Sequence, residues 1–355
     1  MYWWQRTQFF NELAQTGFAD IISYNPLDFE SIEEANEKLI PTILKEGNID
    51  VFLTCVDSKW IFESTIKNVK KIGIPTILIC WDNLELPYKH KTIANLFDLV
   101  WLTSHETQYL FEKWGCKNII FQTYAANPYI SVPNWNHINK SVGFIGSPYG
   151  SRVNKINDLL ENEIKCSIYS DSLFKTNYNT STGNKKLDIK DILVKASRYV
   201  RFPIGRKVFQ SSILNKLKTQ GKLNLKSKYL IKNPSVTDEE MCNLYSSFSL
   251  SLNITELRDT YILEKPVHKI HLRTFEIPMC GGLQLASYND ELSNYFEENK
   301  EIIMYRSKDE MIDKTKFYLD KKSESTVLKM KQAARKRAEG EHTWVNRFRL
   351  AMDLL

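Results

Sequence analysis

Three short apolar runs rich in β-branched and aromatic residues, NIDVFLTCV (48–56), IPTILIC (74–80) and FDLVWLTS (97–104), recur at roughly 25-residue intervals, and a fourth, NIIFQTYA (118–125), follows them. Their apolar residues are nearly continuous rather than alternating, as expected of strands covered on both faces. Between the first two, SKWIFESTIKNVKKIG places apolar residues at 60, 61, 62, 66, 69 and 72, close to a helical period, and stops at Gly73. The rhythm predicts βαβ units with right-handed crossovers in a parallel sheet.

A second series begins after NPYISVPNWNHINKS, whose Pro and Asn content and lack of periodicity read as an inter-domain linker. SVGFIGSPYGSR (141–152) reads as strand, glycine loop and the start of a helix, VNKINDLLEN. KCSIYS, KYLIKN, FSLSLNI and LQLASY are further strand candidates. The expected organisation is α/β: a first Rossmann-like domain over 1–137, a second over 138–340, and a terminal helix over 341–355. A chain of 355 residues is long enough for two cores. The first half opens on a helical pattern, WWQRTQFFNELAQTGF, before the strand-like ADIISYN. Sheets of this class usually open on a strand, so either the first strand is missing from the sequence or this sheet is built without it.

A hydrophobic fraction of 43% with 25% charged residues excludes a disordered chain. Six scattered cysteines with no CxxC pair exclude a disulfide scaffold and a zinc ribbon, and read as reduced thiols. MYWWQRTQFFNELAQ carries Arg6 and Glu12 and has no long apolar core, which reads as neither signal nor span and places the chain in the cytoplasm. The net charge of +6 is uneven: residues 185–232 hold fourteen Lys/Arg against Asp188 and Asp191. Within a polar, basic insertion over about 171–228, that block suits a phosphate-rich or anionic-membrane surface, or simply a solvated lysine-rich face. Pro203 and Gly205 are expected to interrupt any single amphipathic helix there.

The most informative stretch is HLRTFEIPMCGGLQLASY (271–288), where Glu276 sits inside an apolar run. A short helix from about Leu272 to Cys280, stopped by Gly281 and Gly282, is expected between two strands. Ligands in such sheets bind beyond the carboxyl ends of strands, where loops meet helix starts. Free amides at that start, with Arg273 beside them, would seat a diphosphate, and a carboxylate one turn on would accept hydrogen bonds from a ribose diol. The same Glu276 would also be favourable as a plain first-turn acid at the helix dipole.

SLSLNI, then HLRTFEIPMCGGLQLASYNDELSNYFEENKEIIMYRSKDEMIDKTKFYL, then EHTWVNRF resemble the C-terminal domain of the CgeB-like, spore-maturation type glycosyltransferases of the GT-B superfamily. SVGFIGSPYGSR resembles the strand and loop that open that domain. The likeness is best over 141–155 and 245–350, fair over 74–130 and poor over 171–228. It implies two Rossmann-like domains facing across a cleft, with the sugar nucleotide on the C-terminal one and the acceptor on the N-terminal one. Glu276 would bind the ribose, Arg273 and Thr274 would lie near the diphosphate, and Gly146, Ser147 and Arg152 would face the cleft. Many retaining members carry a second glutamate eight positions before the ribose carboxylate, where this chain has His268; the departure bears on stereochemistry. Tyr229 falls near where related enzymes hold the base, or is a loop cap on a strand end.

For an inverting reaction the candidate general base is Asp82 in CWDNLELPYKH, which resembles the family's acidic loop, although Asp82-Asn83 also fits a turn cap. His90 and His105 are the other titratable candidates in this half, each read first as structural. No DxD string occurs, so no metal and no cofactor are expected beyond the nucleoside-diphosphate sugar donor. The expected activity is transfer of a sugar to a glycan, lipid-linked or protein acceptor in surface polysaccharide or envelope biosynthesis, with peripheral membrane contact through 185–232. The competing readings are a GT-B sugar-nucleotide epimerase and a noncatalytic protein binding nucleic acid or anionic membrane; nucleic acid ranks last, for want of the aromatic-and-glycine signature of an RNA-binding sheet.

Overall fold

The computed structural model describes residues 4–174, 196–217 and 221–355. The chain divides into two compact units, Met1–Tyr124 with Trp344–Leu355, and Ala125–Thr343.

The first unit holds a parallel sheet of β1 (Phe52–Thr54), β2 (Thr76–Cys80), β3 (Leu99–Leu102) and β4 (Ile119–Phe121), hydrogen-bonded in the order β1-β2-β3-β4. Every residue of β2 and β3 is buried, which is why their sequences read as unbroken apolar runs. Helices α1 (Asn11–Gln15), α2 (Ile32–Glu46), α3 (Glu63–Lys71) and α4 (Gln108–Lys113) belong to this unit, α1 continuing a π-helical stretch over Gln5–Phe10. The Ser31 hydroxyl caps α2 by accepting from the Glu34 amide at 3.1 Å, and α3 buries Thr65, Ile66 and Val69.

The expected strand ADIISYN does not form: residues 19–25 pair with no strand, and β1 is the edge of the sheet among the described residues. The segment is instead tied to α2 by Tyr24, whose hydroxyl donates to the Ala35 carbonyl at 2.5 Å and whose ring packs on Phe29. Its core is aromatic. Phe9, Trp81, Trp101, Trp344 and Phe348 meet at centroid distances of 5.0–6.3 Å, and Trp4 joins them. Buried Glu12 accepts from the amides of Trp344 (3.0 Å) and Val345 (2.9 Å), so one carboxylate caps the C-terminal helix (Trp344–Met352) from the other end of the chain.

The second unit is a six-stranded parallel sheet of β5 (Asn139–Ile145), β6 (Cys166–Tyr169), β7 (Leu230–Asn233), β8 (Phe248–Asn253), β9 (Gln284–Ser287) and β10 (Ile303–Tyr305). Its order is β10-β9-β8-β5-β6-β7. The strand direction of progression therefore reverses between β5 and β8, creating a topological switch point. Around it lie α5 (Ser151–Glu161), α6 (Pro203–Leu217), α7 (Asp238–Ser247), α8 (Arg273–Met279), α9 (Lys308–Leu319) and α10 (Glu324–Glu341). Val142, Phe144, Ile156, Leu159, Leu250 and Leu252 share one core cluster that covers the centre of the sheet.

The stretch after residue 125 is bound to this unit. Asn134 donates its amide to the Ser246 hydroxyl at 3.0 Å, and Trp135 Nε1 donates to the Gly281 carbonyl at 2.8 Å. Of the basic block, residues 185–195 and 218–220 lie outside the described residues. The stretch is not a single helix: a helical turn over 196–199 ends before Pro203, which begins α6 where the first turn needs no amide, while Gly205 lies inside α6 without interrupting it. α6 is anchored where Asn215 donates through Nδ2 to Asp259 at 2.9 Å and accepts through Oδ1 from the Tyr261 hydroxyl at 3.1 Å. Among the described residues no helix is long and apolar enough to cross a membrane.

Candidate functional site

At the switch point, β5 ends in Ile145 and runs into Gly146, whose φ of +132° favours glycine. A Cβ there would also lie 2.8 Å from Arg273 Nη2. The glycine thus admits the guanidinium of Arg273, which donates to the Ile145 carbonyl at 2.7 Å and stands 5.2 Å over the Phe144 ring. Arg152, on the first turn of α5, approaches the same Phe144 ring at 5.7 Å, stacks on Tyr149 at 4.3 Å and donates to the Ser147 carbonyl at 2.9 Å.

Two guanidiniums therefore share one aromatic ring at the carboxyl end of β5, and neither forms an ion pair among the described residues. Burial, and then the neighbouring charge of Arg273, push the Arg152 guanidinium down to about 10. The same charges reach His271: burial first, then Lys269, Arg273 and Arg152, hold its imidazole well below the usual range and keep it neutral. A concentrated positive locus whose guanidiniums make no ion pair suits a dianion such as a diphosphate.

Glu276 stands one turn along α8 from Arg273. Its carboxyl has no hydrogen-bond partner among the described residues. Desolvation pushes it up to about 7, opposed by Arg273 and reinforced by Asp238. An acceptor group held at that cost, beside a dianion seat, is matched to ligand hydroxyls.

Two expectations about this helix change. The amides at its start are engaged: Thr274 donates to the His271 carbonyl at 2.9 Å, and Phe275 and Glu276 both donate to that of Leu272 at 3.0 Å. The positive charge of the seat comes from side chains instead. Thr274 is fully buried, and its hydroxyl accepts from Asn253 Nδ2 at 3.1 Å, so it braces α8 against β8 rather than facing a phosphate. Pro278 lacks the amide that would reach the Thr274 carbonyl, and Gln284 Nε2 fills that role at 3.2 Å. Gly281 (φ +73°) closes the helix, with its amide on the Pro278 carbonyl at 2.9 Å and that of Gly282 on Ile277 at 2.8 Å.

Tyr229 is a further correction. It precedes β7, at the amino end of the sheet, where it packs against the core and its carbonyl accepts from the Cys166 amide at 2.9 Å. That end is opposite to the one carrying Arg152 and Arg273. Ser147 is exposed and contributes its carbonyl to Arg152. His268 is partly buried, bonded through Nδ1 to the Thr255 hydroxyl at 2.8 Å and paired in a one-residue antiparallel bridge with Glu256. Tyr245 and His271 were not singled out in the sequence. Each acquires its place only from α7 and from the loop before α8 meeting the two arginines.

In the first unit, Asp82 follows β2 and is exposed. Its neighbour Asn83 is buried and ties loops together: Nδ2 donates to the Ser104 carbonyl (2.6 Å) and the Thr107 hydroxyl (2.7 Å), while Oδ1 accepts from the amides of Thr103 (3.0 Å) and Ser104 (3.1 Å). The loop carrying Asp82 is thus fixed by side-chain hydrogen bonds. His90 is buried nearby, and burial, then Lys89, lower it to about 4, so it is a neutral imidazole.

Residues 212–353 match the family model described as glycosyl transferase-like. No curated protein matches the chain significantly. Among solved structures it is similar to a glycosyltransferase from Rickettsia africae (14% identity, TM-score 0.56, covering 97% of this chain and 86% of that one). It is also similar to sucrose-phosphate synthase from Thermosynechococcus elongatus (10%, TM-score 0.54, 94% and 82%). A third is Anabaena HepE in complex with UDP-glucose (12%, TM-score 0.51, 97% and 88%). The fold is GT-B. Both of its units carry the parallel sheet of GT-B proteins, and the family match lies within the half that contains α8 and the C-terminal helix.

Proposed function

We propose that this GT-B protein is a glycosyltransferase that moves a sugar from a nucleoside-diphosphate sugar to a glycan, lipid-linked or protein acceptor, in surface polysaccharide or envelope biosynthesis in the cytoplasm. The spore-maturation type branch is the reading its RTFEIPMCGG string favours. One observation carries the proposal: Arg273 and Arg152, neither in an ion pair, share the Phe144 ring, and Arg273 stands one helical turn from the unpartnered, desolvated carboxyl of Glu276. That set matches a diphosphate joined to a ribose diol, and the UDP-glucose complex of HepE supports the same class of donor.

In the proposed reaction the acceptor hydroxyl oxygen bonds to the anomeric carbon while the bond from that carbon to the diphosphate oxygen breaks. Arg152 and Arg273 hold the charge that develops on the leaving diphosphate, a role that needs no metal. Asp82, exposed on a rigid loop at the carboxyl end of β2, is proposed to take the acceptor proton.

The test is a thermal-shift screen of UDP, GDP, dTDP and CMP sugars against the wild type and Glu276→Ala. A stabilising ligand whose effect disappears in the variant is the expected result. An undiminished shift in the variant removes the ribose assignment.

A further inference from the structure

Helix α6 is turned the wrong way round for a helix on a protein surface. Its buried residues are Gly205, Val208, Ser211 and Asn215, three of them small or polar. Hydrogen bonds from Asn215 to Asp259 and from Tyr261 to Asn215 fasten that inner side. A Cβ on Gly205 would collide with the Tyr199 carbonyl and the Phe202 ring, so the start of the helix lies tight against the preceding turn. On the outer side Phe209, Ile213 and Leu217, four residues apart, form one stripe and are 37%, 47% and 79% exposed. An ordinary surface helix does the reverse, because burial of its apolar stripe is what stabilises it. Single exposed apolar side chains are common, but three aligned outside a mostly polar inner face mark an interaction surface.

The charge around the stripe has one sign. Residues 196–217 carry Arg198, Arg201, Arg206, Lys207 and Lys216 and no acid. All five cations are exposed, and none forms an ion pair among the described residues. At about 3.6 residues per turn, Arg206 continues the stripe toward the helix start, and Lys207 and Lys216 lie to either side of it.

We propose that α6 is an interfacial helix that docks this protein on an anionic bilayer: Phe209, Ile213 and Leu217 enter the boundary between headgroups and acyl chains while the cations stay among the phosphates. A nucleic-acid backbone would take up the cations and leave the stripe in water. A second copy seated on the stripe would set its own Arg206 and Lys216 against these, like charge against like. An intact α6 running through Gly205 is what aligns the stripe, and the stripe separates this surface from a merely solvated basic face. The inference goes beyond the donor-site reading and does not depend on it.

The experiment is co-sedimentation of the full chain, without nucleotide, with vesicles of phosphatidylcholine alone or of phosphatidylcholine mixed with phosphatidylglycerol. The wild type is compared with Ile213→Gln/Leu217→Gln and with Arg206→Gln/Lys207→Gln/Lys216→Gln. The substituted side chains are exposed, and thermal melting checks that each variant folds. The wild type is expected to bind the mixed vesicles at least about 100-fold more tightly than phosphatidylcholine alone. The double variant, at unchanged charge, should lose about 10- to 100-fold on the mixed vesicles. The triple variant should lose about 100-fold, as expected from removing three cations near an anionic surface. A double variant that binds like the wild type reduces the contact to charge alone, and a triple variant that does so removes the anionic lipid; either overturns the proposal. Absence of wild-type binding to the mixed vesicles overturns it too, and a wild-type dimer that the double variant dissolves would then assign the stripe to a second copy.

Discussion

The two sheets are built from the same kind of repeat and differ in one respect. In the first unit the strands follow chain order, β1-β2-β3-β4; in the second the order reverses between β5 and β8. Reversal sends the helices after the two central strands to opposite faces and opens a crevice at their carboxyl ends. The second unit lines that crevice with Arg152, Arg273, Glu276 and His271, and neither guanidinium forms an ion pair among the described residues. The first has no such crevice. At the same end of its sheet it carries an exposed Asp82, a neutral buried His90 and a dense aromatic core.

The contrast would break if nucleotide binding depended on both units. Arg273→Met should weaken nucleoside diphosphate binding about 100-fold by calorimetry, the loss of a charge-assisted fork on phosphate. Asp82→Asn should leave that affinity within about twofold. Comparable losses in the two would erase the distinction drawn above.

A smaller effect should separate stability from binding. Glu12→Gln removes the charged cap of the C-terminal helix and should cost about 2 kcal/mol locally. Hydrogen exchange should quicken over residues 5–15 and 344–352 while nucleotide affinity stays the same. Unchanged exchange would show that the aromatic packing alone holds that helix.

The smallest effect sharpens the second unit's side. Glu276 has its pKa raised to about 7 from an ordinary 4.5, so between these values the folded chain binds a proton that the unfolded chain has released. The sign follows: its contribution to stability is fully present below about 4.5 and is lost as pH rises through 7. Donor binding needs the carboxylate and should run the other way, weakening about tenfold from pH 8 to 6. Glu276→Gln should flatten both slopes, as read by melting and by titration across that range.

Much of this was legible in the chain. Runs such as IPTILIC and FSLSLNI announce strands because burial on both faces demands unbroken apolar residues. β10 was missed because three residues, Ile303–Tyr305, make too short a run to stand out beside Lys300, Glu301 and Arg306. ADIISYN misled in the other direction, since β-rich composition says nothing about whether a partner strand exists. At the site, residue type and position flagged Arg273 and Glu276, and the family resemblance flagged Arg152. The burial of Thr274, the engaged amides of α8 and the place of Tyr229 before β7 depend on how elements meet, which a single sequence does not encode locally.

The carboxylate of Glu12 has a consequence for biosynthesis. It emerges from the ribosome early, yet the amides it caps belong to Trp344 and Val345. At roughly 5–20 residues per second, the intervening segment 125–343 takes roughly ten to forty seconds to translate. The second unit, 125–343, can therefore close on itself while the nascent first unit still waits for its last helix, and the portion made first is the last to be finished.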